Sequence, residues 1–399
     1  MKTMFKHIKG DKAIWAIVAI LAVISFMPVY SASTNLVYVV GNGSTFGHLL
    51  KHMLLLSVGF GIIYLVHKIP YRYFSGGSVI MFPVVVILLI FTLMQGTTIS
   101  GANASRWIRI GGIGFQTSTL ASLVLMVYVA RYFAKQKEVN VKFKESLFQL
   151  WLPVGFILLL ILPANFSTTA IVFVMVLLLA FIGGYPVKYI GIVVGSAIVV
   201  FTFFILMAMS FPKLMPNRVQ TWESRISSFF DNDKDQKIGE EDYQVQKAKI
   251  AIATGGIFGL GPGKSMQKNF LPQSSSDFIY AIIIEEYGVL GGLIVVFFYF
   301  LLLFRILIVV KNTTTIFSSL LVIGVGFPIV FQAAINMAVA TNLFPVTGQT
   351  LPLISSGGTS IWMTCIAIGI ILSVSASKEE TEEDILDDNP LNILHETLE

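Results

Sequence analysis

The residue of this chain that most invites chemistry is Asp277. It sits in KNFLPQSSSDFIYAIIIEEYG, after a polar Gln-Ser-Ser-Ser stretch and at the head of a long apolar run. That places a carboxylate at the outer membrane interface, the depth at which the headgroup of a lipid-linked substrate would lie. The same residue in the same place also suits a helix N-cap, the commoner role, where its oxygen accepts a backbone N–H and contributes on the order of 1 kcal/mol. Glu285 and Glu286 follow two helical turns further on, roughly on the face of Asp277 but deeper. Acids in a membrane segment cost about 2.5–3.5 kcal/mol at its centre and usually face a cavity or a partner. They read as a structural pair or as a wall of the same polar cavity, and their adjacency predicts that they do not point the same way.

Cations stand close by in sequence. GPGKS (Gly261–Ser265) carries Lys264, with Gln267 and Lys268 just beyond it. It resembles the end of a P-loop, but the spacing needs Gly at 258, where the chain has Phe258. A Gly-rich turn can still offer backbone N–H groups and Lys264 to an anion, although a plain connecting turn is commoner. Arg106 and Arg109, in GANASRWIRIGGIGFQTS, suit an anionic headgroup through the guanidinium fork, or anchor the loop at the interface together with Trp107. Arg225 is read as pairing locally with Glu223. His48 and His52 share a helical face without an evident third ligand, so they read as packing residues. No GxSxG, HExxH or CxxC pattern occurs, and Cys365 is alone, which removes support for classical hydrolases, zinc enzymes and an intrachain disulfide.

The elements that must position these groups are membrane helices. Hydrophobic residues make up 55% of the 399 and charged ones only 12%, against roughly 25% in an ordinary soluble domain. Apolar runs of about 20 residues recur, each long enough to cross about 30 Å of hydrocarbon. Ten spans are predicted, at about 13–31, 47–66, 78–95, 117–134, 148–164, 167–184, 188–211, 280–310, 315–338 and 358–376. With residues 1–12 inside, fifteen Lys and Arg fall on the inner side, against Arg106 and Arg109 in the short outer loops, which predicts both termini cytoplasmic. The chain then divides into spans one to seven (13–211), a large extracytoplasmic loop (212–279) with a helix around Tyr243–Thr254, spans eight to ten (280–376), and an acidic, solvated, disordered tail (377–399). Basic residues beside spans set orientation, so no nucleic-acid partner is expected, only membrane lipids.

Three segments together carry a specific resemblance: NASRWIRIGGIGFQTS (Asn103–Ser118), GPGKSMQKNFLPQSSSDFIYAIIIEEYG (Gly261–Gly288) and NLFPVTGQTLPLISSGGTS (Asn342–Ser360). The chain resembles the SEDS family of bacterial cell-shape and division proteins, from the first span to the tenth. The TLPLIS wording (Thr350–Ser355) leans to the division branch rather than the elongation branch. The resemblance implies an all-α polytopic membrane fold and a peptidoglycan glycosyltransferase. Such an enzyme polymerises lipid II, an undecaprenyl-diphosphate-linked disaccharide-pentapeptide, at the outer face of the cytoplasmic membrane. It implies Asp277 as catalytic acid-base and a substrate-binding set of Arg106, Arg109, Lys264, Gln267, Lys268, Glu285, Glu286, Ser355 and Ser356. It further implies a divalent cation (Mg2+ or Mn2+), activation by a class B penicillin-binding protein, other division proteins as partners, and recruitment to the septum. A lipid II transporter, the elongation role and an inactive septal scaffold are the alternatives. Midspan polar clusters would favour a transporter, and the cluster here lies at the interface. The chain departs from the family pattern at Ala164-Asn165-Phe166-Ser167-Thr168, at Thr119 and Ser122 where Glu and Lys are common, and at Ser356 where Tyr is frequent.

Overall fold

The computed structural model describes residues 9–38, 44–95, 107–110, 113–136, 142–210, 240–271 and 274–387. Eight of its helices are long and apolar enough to cross a membrane. They are α1 (Lys12–Tyr38), α2 (Thr45–Val66), α3 (Arg72–Gln95), α4 (Thr117–Lys135), α5 (Phe143–Ile161), α9 (Ile279–Lys311), α10 (Ile316–Ala340) and α11 (Ser360–Asp387). Two further apolar helices are α6 (Phe166–Ile182) and α7 (Val187–Ser210), the latter apolar over Val187–Phe203 among the described residues. These helices fall where the ten runs were expected; α6, at 17 residues, is the one short of spanning length, and α7 has 24 residues. The remaining helix, α8 (Glu240–Gly255), is the polar one foreseen around Tyr243–Thr254.

Local sequence sets several boundaries. Thr315 and Ser318 form a reciprocal capping box at the start of α10, and Asn165 caps α6 by accepting from Thr168 N at 3.2 Å. α11 runs on to Asp387, ten residues into the stretch read as disordered, because no Gly or Pro stands between Gly369 and Pro390. Residues 107–116, expected as a plain loop, form a β-hairpin in which β1 (Trp107–Ile110) pairs antiparallel with β2 (Ile113–Gln116), Ile110 opposite Ile113. Alternating β-branched residues around a Gly-Gly pair are the sequence signature of a two-residue hairpin turn.

Buried side chains form two apolar clusters. One joins α1, α2, α8, α9, α10 and α11, with Ile14, Leu21, Ile63, Phe278, Tyr299 and Ile368 among its members. The other joins α3 to α6 and includes Leu125, Trp151, Ile157 and Met175. α10 belongs to both, contributing Leu321 and Val325 to the first and Leu320 and Ile323 to the second.

Candidate functional site

Asp277 lies in a turn just before α9 and is only partly exposed. The cap position of that helix is Phe278, one residue later, which makes no side-chain cap hydrogen bond. The turn is held from behind. Asn336, fully buried on α10, donates through Nδ2 to the Asp277 carbonyl and to the Gln349 carbonyl, each at 2.7 Å. Ser355 Oγ donates to the Ser276 carbonyl at 2.6 Å and accepts from Leu351 N at 2.7 Å, while Ser356 N donates to the Ser275 carbonyl at 2.9 Å. Residues 275–277 are thus stapled to the 349–356 loop. That loop turns tightly at Leu353, which holds φ +65° while buried, and Tyr299 donates to the Pro352 carbonyl.

The hairpin joins the same assembly. Thr359 Oγ1 donates to the Gly114 carbonyl at 3.0 Å and accepts from Gln116 N at 3.3 Å. Gln349 Nε2 reaches Thr168 Oγ1 at 3.0 Å, at the N-terminus of α6. The three segments that carried the family resemblance therefore meet at one end of the bundle, tied by short polar side chains to carbonyls.

The Gly-rich loop solves a backbone problem. α9 breaks at Gly288, whose φ is +70°, and the break leaves the carbonyls of Glu285 and Glu286 without their helical donors. Leu260 N and Gly261 N donate to them at 2.9 Å each. In exchange, Val289 N and Leu290 N donate to the Gly256 and Ile257 carbonyls at 2.9 and 3.3 Å. A Cβ at Gly259 would lie 2.2 Å from the Glu286 carbonyl oxygen and one at Gly288 2.1 Å from that of Ile257, so only glycine permits this approach.

The anion cradled by the next part of the loop is the chain's own. Met266 N and Gln267 N donate to Glu285 Oε1 at 2.9 and 3.2 Å, and Ser265 Oγ donates to the same carboxylate. Glu286 Oε1 accepts from Ser265 N at 3.4 Å and from Ser31 of α1. The two adjacent acids converge on Ser265, against the expectation that they would diverge, because the loop crosses the helix and meets both side chains. Lys268 Nζ sits above them, donating to Ser31 Oγ at 3.1 Å and to the Gly263 carbonyl at 2.7 Å. Lys264 is exposed.

A cavity opens at the seam of the two clusters. Thr119, Ser122, Thr168, Gln332, Gln349 and Thr364 give it a polar but uncharged lining among apolar walls. Thr119 and Ser122 are the positions where the family pattern carries charge. Gln332 Nε2 also bonds the Thr350 carbonyl at 2.9 Å, so the cavity wall and the Asp277 staples share one loop.

Arg106, Arg225 and the side chain of Arg109 lie outside the described residues; the Arg109 backbone pairs opposite Gly114. Among the described residues no group of three or more His, Cys, Asp or Glu could hold a metal ion. The carboxylate of Glu285 is occupied by N–H and O–H donors, a set that suits an anion and repels a cation. The described donors therefore do not fit a divalent-cation site. His52 bonds Ser25 Oγ at 2.8 Å in the buried contact of α1 with α2, consistent with a packing role.

The family described as cell cycle protein, FtsW/RodA/SpoVE, matches residues 11–380. The chain belongs to this family. A probable peptidoglycan glycosyltransferase FtsW of Coxiella burnetii is 30% identical over 92% of this chain and 96% of its own length. The protein of that name from Enterococcus hirae is 30% identical over 94% of each chain. Among solved structures, a chain of a peptidoglycan synthase complex superposes with TM-score 0.69 at 24% identity, covering 92% of this chain and 98% of its own. Rod shape determining protein RodA of Thermus thermophilus gives 0.64 at 23% identity, covering 92% and 97%. The SEDS resemblance carried by the three motifs is thereby borne out, and so is the helical membrane fold.

Sequence reasoning about this FtsW/RodA/SpoVE chain missed Asn336, Gln349, Thr359 and Ser31. A signal existed for Asn336: it is one of two amides, with Gln332, in a largely apolar span, and polar residues inside membrane segments usually have a partner. The other three are unremarkable residue types whose partners lie far away in sequence.

Proposed function

We propose that this chain is a peptidoglycan glycosyltransferase of the FtsW type that polymerises lipid II into glycan strands, with Asp277 as general base. The observation that supports this best is the stapled turn: the backbone of Asp277 is fixed by Asn336 and the Ser355 loop, while its side chain stands at a partly exposed position. The names of its relatives support the reaction class.

In this reading the 4-hydroxyl of one GlcNAc attacks the anomeric carbon of a MurNAc. The hydroxyl proton passes to the Asp277 carboxylate as the new C–O bond forms. The bond to the lipid pyrophosphate breaks, and a single displacement turns the α-linked donor into a β-linked strand. General-base assistance of this kind contributes typically about 10² to 10⁴ in rate. Lys264 and Lys268, with Arg106 and Arg109, supply positive charge for the departing pyrophosphate. Gln267, Ser355 and Ser356 act through the backbone of the two loops, and Glu285 and Glu286 hold the cationic loop in place from below. No step is routed through a divalent cation. The partner in this reading is a class B penicillin-binding protein, supported by the similar chain from a peptidoglycan synthase complex. The site of action is the outer face of the cytoplasmic membrane at the septum, among other division proteins, with both termini cytoplasmic.

The test is purified protein with its penicillin-binding partner and labelled lipid II. Asp277→Asn is expected to make no glycan strands while its thermal unfolding matches the parent. Normal polymerisation by the variant refutes the base assignment, and headgroup translocation in liposomes without any polymer supports the transporter instead.

A further inference from the structure

Two pairs of contacts measure the membrane against the chain. Arg305 of α9 forms a salt bridge with Asp11, which also caps α1 by accepting from Ala13 N at 2.9 Å and Ile14 N at 3.1 Å. At the other end of the same two helices, Glu286 meets Ser31. Twenty residues separate Asp11 from Ser31 on α1, roughly 30 Å at about 1.5 Å per residue, while on α9 the sixteen steps from Val289 to Arg305 span roughly 24 Å and Glu286 lies beyond the break at Gly288. The α1 ruler matches a hydrocarbon layer about 30 Å thick, and the stretch of α9 from Val289 to Arg305 falls within it. The Arg305–Asp11 pair marks one boundary of that layer and Glu286 the other.

The Gly-rich loop hangs below the second boundary. Gly256 and Ile257 are hydrogen-bonded to Val289 and Leu290, three and four residues inward of Glu286 and within that layer. Ile257 is 63% exposed and Phe258 80%, and Leu260 is exposed as well. Val289, Leu290, Leu293, Ile294 and Phe297 continue the same exposed apolar surface down α9. From Gly255 to Pro262 the loop has no charged residue. Irregular backbone near lipid is tolerated only if its polar groups find partners inside the protein. The exchange of four backbone bonds with the broken helix supplies such partners to the Gly256 and Ile257 carbonyls and to Leu260 N and Gly261 N, and Gly259 N donates to the Gly255 carbonyl at 2.8 Å.

We infer that the 256–260 loop is a lipid-inserted wedge: Ile257 and Phe258 are buried among the acyl chains of the leaflet on the Asp277 side. Their occupant is the phospholipid itself, because the patch is continuous with the lipid-facing stripe of α9 and lies within the layer measured along α1. The wedge fixes the depth of Lys264 and Lys268, which follow it directly in the chain. The inference depends on the membrane fold alone and stands or falls apart from the reaction proposed for Asp277.

The experiment uses the full chain in phosphatidylethanolamine–phosphatidylglycerol vesicles, carrying Cys365→Ala and one new cysteine labelled with bimane. At Phe258→Cys the emission is expected to shift to the blue, to be lost to lipids brominated near the head of the acyl chain, and to resist aqueous iodide. At Lys249→Cys, exposed on α8, iodide is expected to quench and bromolipid is not. If Phe258→Cys fails to fold, Ile257→Cys reads the same depth. Iodide quenching at 257 or 258 equal to that at 249 overturns the inference. Protection from both quenchers also overturns it, since a protein surface and not lipid would then cover the loop.

Discussion

Replacing Asn336 by leucine removes a side chain that is fully buried and that holds two carbonyls, those of Asp277 and Gln349, each at 2.7 Å. Leucine keeps the number and branching of the heavy atoms, is bulkier by its two methyls, and supplies no donor. Both carbonyls then stay buried without a partner, at about 1–3 kcal/mol each, so the local arrangement loses roughly 2–6 kcal/mol unless the turn moves. Movement is the cheaper outcome, because Asp277 lies at the edge of the bundle and its carbonyl can swing toward water. Misplacing a reacting group by about 1 Å can cost on the order of 10²-fold in rate. We expect Asn336→Leu to lower kcat for strand synthesis by about that factor with KM for lipid II nearly unchanged. The thermal midpoint should fall by less than the full local loss predicts. Asn336→Asp, which offers acceptors to two acceptors, should be at least as severe. The assay is polymerisation of labelled lipid II beside thermal unfolding in the same detergent. Parental kcat in Asn336→Leu would show that the staple does not position Asp277. A fall in activity that tracks loss of folded protein would reduce Asn336 to a stability residue.

Gly288→Ala sets a methyl 2.1 Å from the Ile257 carbonyl oxygen at a backbone φ of +70°. Overpacking of about 1–3 kcal/mol adds to a left-handed penalty of roughly 1–2 kcal/mol, so the unfolding midpoint should drop clearly, and an unchanged midpoint contradicts the close approach of loop and helix. Arg305→Ala leaves Asp11, whose side chain is 5% exposed, without its cation, while Arg305 itself is 30% exposed. The cost should fall below the 3–5 kcal/mol of a fully buried pair, at about 1–3 kcal/mol. Asp11→Ala should cost about 1 kcal/mol more, since it also uncaps α1. A double-mutant cycle measures the coupling, and additive effects would refute the pairing.

Much of the architecture is legible in one dimension. Runs of twenty apolar residues have few ways to satisfy their backbone in lipid other than as helices, so the spans and α8 follow from hydropathy and periodicity. Asp277 was visible as a polar residue at a boundary. The hairpin was missed because a four-residue strand carries little periodic signal, although Ile-Gly-Gly-Ile contains its turn. The helical start of the acidic tail is masked by its net charge, although no Gly or Pro interrupts it before Pro390.

Local pattern determined the helices, their caps, the position of one carboxylate ahead of α9 and the family to which the chain belongs. What stands around that carboxylate was decided only by the folded arrangement. Asn336 reaches Asp277 across 59 residues, and Thr359 reaches Gly114 across 245. The Gly-rich turn that looked ready for an outside anion spends its N–H groups on Glu285, Glu286 and the carbonyls of a broken helix. A hydrogen-bond donor takes the acceptor nearest in space, and nearness in space between distant segments is set by how whole helices pack, which no window of sequence contains.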